Sequence, residues 1–307
     1  MISFFANIFG YILNIIYELI KNYGLAIILF SILIKLLLLP LTIKQQKTLK
    51  KTQKLQGKLN EIQEKYKNNQ EKLNKEMMDL YKRENVSPFS GCLSSIIQII
   101  ILLAMFYLVR SPLTYMKKMD KDLINKYKEQ IVLEQGENKT STAYPEISII
   151  KYINNHIKND EENENTEIEE NNEEDIIIDK DLYINMNFLG LDLNSIPKEN
   201  YKDIKVFIIP VLYIISSCIS IKLTQNQTKQ TIKKKDEENK ESKNNEPDMT
   251  EQMGKSMGLM MPILAVSVSL IAPLGLALYW LVNNILMILE RIIMDKFIIP
   301  KEEEENG

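Results

Sequence analysis

Lys35 is the one charged residue in a twenty-residue apolar run, GLAIILFSILIKLLLLPLTI at 24–43. A charge near the centre of a membrane span costs about 2.5–3.5 kcal/mol on insertion scales, so such a residue normally faces a water-filled cavity or a partner. Its chemistry is electrostatic: an ammonium held in a low-dielectric wall attracts polar or acidic groups. Acidic residues are nearly absent from the apolar runs, with Glu290 toward the inner end of the last one, so a fixed, tight ion pair for Lys35 is not expected. A second reading is snorkelling. Lys44 follows nine residues later, on the order of 13 Å along a helix, and a lysine stem can carry its ammonium partway to the interface. The other polar residues inside apolar runs are Gln98, Ser216, Ser217, Ser220, Trp280, Asn283 and Asn284. Helix–helix hydrogen bonding is their ordinary role in membranes. Asn283 and Asn284 are the candidates for such structural bonding.

Covalent and metal chemistry find little support. Cys92 and Cys218 lie in or beside apolar segments without partners at metal-ligand spacing, and read as small buried hydrophobes. The single histidine, His156, falls in a polar stretch and reads as solvated. Gly254-Lys255-Ser256 looks like the end of a phosphate loop, but the motif's first glycine would fall at Met249. Paired Asp, Ser–His and His-rich protease motifs are missing from the apolar runs. No catalytic residue, cofactor or metal ligand is therefore assigned.

The elements that must position Lys35 follow from hydropathy. Mean hydropathy is slightly negative, as for a soluble protein, yet apolar runs near 24–43, 93–109, 204–221 and 257–294 alternate with stretches crowded with Lys, Glu and Asn. About 20 apolar residues cross a hydrocarbon layer of roughly 30 Å, whereas a soluble core would spread them by helix or strand periodicity. The expected class is an all-α polytopic membrane protein with five transmembrane helices. Residues 1–21 form an interfacial amphipathic helix, with Ser3, Asn7, Asn14 and Glu18 on one face and Phe4, Phe5, Ile8, Tyr11, Ile12, Ile15 and Leu19 on the other. Spans are expected at 22–43, 89–110, 204–222, 256–272 and 273–294, the last two split at Ala272-Pro273-Leu274-Gly275. Pro40, inside the first span, is tolerated where neighbours satisfy the freed carbonyl.

Between the spans, 44–88 reads as a basic helical hairpin. Leu49, Leu55, Leu59, Ile62 and Tyr66 form one apolar stripe, Asn68-Asn69 the turn, and Leu73, Met77, Leu80 and Tyr81 the opposing stripe. Residues 111–203 read as a loop carrying an acidic disordered insertion, 159–175, with 182–197 apolar enough to pack at the interface. Residues 223–255 read as a second loop and 295–307 as a tail. Residues 44–86 hold twelve Lys/Arg against six Asp/Glu, while 111–203 hold eleven against twenty-one. Basic loops stay in the cytoplasm, which places 44–88, 223–255 and the C-terminus inside, and the N-terminus and 111–203 outside.

Five segments in this order are similar to the YidC family of insertases: IKLLLLPLTIKQQ at 34–46, the basic hairpin, SPFSGCLSSIIQ at 87–98, MGKSMGLMMP at 253–262 and PLGLALYWLVNNILMILE at 273–290. The resemblance, to the compact Gram-positive type without a large periplasmic domain, implies five helices around a polar groove open to the cytoplasm and the lipid, with Lys35, Gln98, Ser220 and Trp280 as its candidate lining. It also implies a non-enzymatic function in the bacterial plasma membrane. A central cation receives the polar flanks of nascent membrane proteins, and their hydrophobic helices pass sideways into lipid without ATP hydrolysis. Membrane lipids, a transiently bound ribosome and the Sec translocon are the implied partners, with no specific nucleic acid sequence. Lys35 stands where the family usually has Arg, Ser220 and Ile221 where members often have Gln, and no cysteine of a lipoprotein signal lies near the N-terminus. A structural assembly factor for membrane complexes is the alternative. A secondary transporter would show internal repeats and paired broken helices, which five unequal spans do not.

Overall fold

The computed structural model describes residues 2–84, 90–136, 143–162, 180–238, 266–294 and 296. Helix dominates them: α1 (Ile2–Ile20), α2 (Tyr23–Lys65), α3 (Gln70–Arg83), α4 (Ser90–Arg110), α5 (Pro112–Tyr115), α6 (Lys121–Gln135), α7 (Pro145–Glu162), α8 (Ile208–Glu238), α9 (266–271) and α10 (Leu274–Ile293). A two-stranded antiparallel ribbon, β1 (Asn187–Phe188) and β2 (Leu191–Asp192), precedes α8. Ile2–Ile20, Tyr23–Thr48, Ile204–Leu223 and Leu274–Ile293 are long and apolar enough to cross a membrane, and Ile99–Arg110 is a shorter apolar helix. Leu36, Leu37, Ile215 and Leu289 are exposed on these helices, as side chains meeting lipid would be. Two compact units divide the chain: residues 1–33, 100–213 and 265–283 in one, and 34–99, 214–264 and 284–307 in the other.

In the first unit, α1 carries three faces rather than two. Phe4, Ile8, Tyr11, Ile15 and Leu19 are exposed, while Ala6, Phe9, Gly10, Leu13 and Tyr17 are buried. Gly10 allows the closest approach: a Cβ there would lie 2.1 Å from the Tyr115 carbonyl oxygen. The polar face is used as well, since Lys118 Nζ donates to Asn7 Oδ1 at 2.7 Å and Lys117 pairs with Glu18 at 2.9 Å. Lys21, at φ 56°, ends α1, and the Asn22 side chain accepts from Leu25 N at 3.0 Å to start α2.

Within the stretch 111–203, read as a loop between spans, the described residues form α6 and α7, whose Ile124, Tyr127, Ile131, Ile149, Ile150, Ile153 and Ile157 are buried. These residues recur at three- and four-residue steps that the surrounding Lys and Glu conceal in any average. Tyr152 donates to Glu134 at 2.7 Å, and the Asn154 amide donates to the Ile184 carbonyl at 2.8 Å. His156 is half-buried on α7 rather than solvated, its ring 4.1 Å from that of Tyr152. Glu146 is buried and accepts from Thr114 N at 2.9 Å and Thr114 Oγ1 at 2.7 Å. Burial pushes its carboxyl above the usual range, against the pull of these bonds. Residues 163–175 of the acidic insertion lie outside the described residues.

In the second unit, the helix is not interrupted where the first span is expected to give way to the hairpin, at residue 43. Helix α2 runs through Pro40 and on to Lys65. Between Leu41 and Lys65 the chain contains strong helix formers, one glycine and no proline, so nothing stops propagation. The hairpin itself is as expected: Leu55 and Leu59 are buried against Met77, Leu80 and Tyr81 of α3, whose first turn is capped by the Asn69 side chain. Likewise α8 continues to Glu238, well into the segment read as a loop from 223, because no Gly or Pro interrupts LTQNQTKQTIKKKDEE.

Candidate functional site

Lys35 meets Glu290. Its ammonium lies 3.2 Å from Glu290 Oε2, with side-chain exposures of 19% for Lys35 and 10% for Glu290. The absence of an ion pair inferred from hydropathy is thereby corrected. Glu290 was visible as the lone acid in the last span; α2 and α10 bring it to Lys35 although 255 residues separate the two. Glu290 Oε1 is buried and has no hydrogen-bond partner among the described residues, so the carboxylate is only half satisfied by Lys35. Desolvating both ions costs several kcal/mol each, and their attraction recovers this only when the remaining lone pairs are also bonded.

The same unit holds a second polar contact within apolar helices. Asn284 Nδ2 donates to Ser216 Oγ at 2.8 Å and to Ser217 Oγ at 3.3 Å, with all three residues buried. This joins α10 to α8 and fits the structural role expected of Asn284. Asn283, assigned to the first unit, donates its amide one turn back to Tyr279 OH at 3.1 Å. Ser220 is half-buried on α8. The side chain of Gln98 lies outside the described residues, as do those of Met253, Met257, Met260, Met261 and Cys92. Cys218 is exposed on α8 rather than buried, since an apolar side chain inside a bilayer needs no protein neighbour.

Trp280 belongs to the first unit. Its ring lies 6.5 Å from that of Tyr213, tilted by 44°, and its Nε1 is buried without a hydrogen-bond partner among the described residues. An indole N–H without a partner is an unspent donor.

The family described as 60Kd inner membrane protein matches residues 15–302. The membrane protein insertase YidC of Treponema denticola is 29% identical over 290 residues, which is 94% of this chain and 37% of that protein. The membrane protein insertases YidC of two Francisella tularensis strains, subspecies novicida U112 and subspecies tularensis WY96-3418, are each 43% identical over 109 residues, 36% of this chain and 20% of theirs. The chain thus spans well under half the length of the curated relatives it matches. Both the match across 15–302 and the span-length helices agree: the chain is an all-α membrane protein belonging to the 60Kd inner membrane protein (YidC) family.

Proposed function

We propose that the chain acts as a membrane protein insertase, non-enzymatic and independent of ATP. The observation that carries this reading is the mostly buried Lys35–Glu290 pair, set in helices apolar enough to cross a bilayer and left with one carboxylate oxygen unsatisfied. A client's acidic flank competes with Glu290 for the Lys35 ammonium, and the exchange leaves the Glu290 carboxylate without its cation, a cost the client's own burial must offset. The apolar helix behind the flank then moves into lipid, and its burial drives the step. Ser220, on α8 of the same unit, lines the polar path.

Nascent membrane proteins are the substrates in this scheme. The basic hairpin of α2 and α3 faces anionic lipid or a transiently docked ribosome, and the Sec translocon is a further partner. The orientation is N-terminus outside and C-terminus in the cytoplasm, with α1 lying in the membrane plane along the folded outer segment, as its contacts with Tyr115, Lys117 and Lys118 favour. The deciding experiment reconstitutes the purified full chain into liposomes and measures insertion of a single-span client with an acidic flank. Insertion without nucleotide supports the reading. Its absence, with the protein folded, favours a structural assembly factor instead.

A further inference from the structure

The ribbon β1–β2 pairs Phe188 with Leu191, which leaves a two-residue loop, Leu189-Gly190. Both loop residues have positive φ, 52° and 79°. That is the type I′ geometry, which favours Asn, Asp or Gly at its first position and penalises a branched apolar side chain there. Leu189 occupies the position nevertheless, and it is 87% exposed. Neither the turn's own energetics nor packing within the chain gives a reason for leucine.

Location supplies one. Tyr23 N donates to the Asn185 carbonyl at 3.0 Å, and the Asn22 amide donates to the Asn187 carbonyl at 2.8 Å. The Phe188 side chain lies so close to Gly24 that a Cβ there would be 2.5 Å from its ring. A few residues on, the Leu193 and Ser195 carbonyls accept from Gly275 N at 3.0 Å and Leu274 N at 2.9 Å, and Lys198 N donates to the Leu270 carbonyl at 2.9 Å. Segment 185–198 is thus laced by backbone hydrogen bonds to the first turn of α2 and to the turn joining α9 and α10, which are ends of bilayer-crossing helices. The ribbon therefore sits at the membrane surface. Leu25 and Leu29, just beyond Gly24 on α2, are exposed apolar residues of that span, and Ile204, which opens the next one, is barer still.

We infer that Leu189 is a lipid anchor: the tip of the ribbon dips into the headgroup–acyl boundary of the adjoining leaflet and holds segment 185–198 against it. The partner is the phospholipid surface itself, which accepts an apolar side chain where water does not. This inference rests on the helices crossing a bilayer and not on insertase activity, so the two fail separately.

The full chain, with Cys92 and Cys218 replaced by alanine, is spin-labelled at Leu189→Cys in phosphatidylcholine–phosphatidylglycerol liposomes. Lys126→Cys, on the exposed side of α6, serves as the aqueous control. Collisions with oxygen should dominate over those with a water-soluble nickel complex at 189, and the reverse should hold at 126. A second variant removes any bias from the label. Leu189→Asn improves the turn locally but deletes the anchor, so backbone hydrogen exchange over 185–198 in liposomes should become several-fold faster. A water-like label at 189, or exchange that is unchanged or slower in Leu189→Asn, overturns the inference.

Discussion

Glu290 Oε2 accepts the Lys35 ammonium at 3.2 Å while its Oε1 has no partner among the described residues. This asymmetry alters what single substitutions do. Lys35→Ala does not delete a free cation; it strands a buried carboxylate, at a cost of about 3–5 kcal/mol. Lys35→Gln with Glu290→Gln should recover most of that loss. A double-mutant cycle of thermal unfolding in detergent checks this, and additive losses from the two single changes would show that the pair is not coupled.

Client choice should follow the same pair. Lys35→Arg should keep insertion of acidic-flanked clients, because charge and reach survive. Glu290→Gln should raise it, since the competitor for the ammonium is gone. The neutral double variant should fold and reach the membrane yet lose those clients by tenfold or more, about 1.4 kcal/mol. Complementation of an insertase-depleted cell, with a blot for abundance, reads all three. Normal growth with the double variant at normal abundance would sink the role given to Lys35.

Topology is open to a direct check. Single cysteines at Lys54 and Lys234 should be shielded from a membrane-impermeant thiol reagent in intact cells, and one at Glu164 should be labelled. Labelling at Lys54 from outside would reverse the proposed orientation.

Gly10 should tolerate no side chain. Gly10→Ala places a Cβ 2.1 Å from the backbone oxygen of Tyr115, which cannot rotate away as a side chain could. Helix α1 should lift from α5 at a cost of about 1–3 kcal/mol. Weaker crosslinking between cysteines at Asn7 and Lys118 would report it, whereas unchanged crosslinking would mean that α1 adjusts without loss.

The folded segment around α7 should weaken as pH rises. Burial raises the Glu146 carboxyl in the folded state, so the protonated form is the one the fold prefers. The resulting stability is complete below the ordinary carboxylate range, and it is lost as pH climbs through the raised folded value. Protection of the α7 amides, with exchange rates corrected for their intrinsic rise with pH, should therefore fall from acid toward neutral pH, and Glu146→Gln should flatten that dependence. An equally steep dependence in the variant would assign it to other groups.

Local signals were legible where the chain's neighbours decide structure. The Leu55–Leu59 stripe met Met77, Leu80 and Tyr81 as its spacing required, and Pro273 divides α9 from α10 as expected. Two kinds of feature were not. Composition averages concealed α6 and α7, because isoleucines at three- and four-residue steps are outnumbered by Lys, Glu and Asn. The Lys35–Glu290 contact joins α2 to α10, and no periodicity within one helix specifies its partner on another. Charge scarcity pointed the wrong way there: one acid in the right place is enough.

The unbroken course of α2 also has a mechanical side. From Pro40 to Lys65 lie 25 residues, about 37 Å of rigid rod at 1.5 Å each. Proline removes the backbone bond to the carbonyl four residues back, making residue 40 the compliant point of the rod. A bend of about 10° there sweeps the far end through roughly 6 Å, taking the rise per residue as the lever's scale. Lys35 stands five residues behind that point, so a bend there would move the far end of the rod much further than the ammonium.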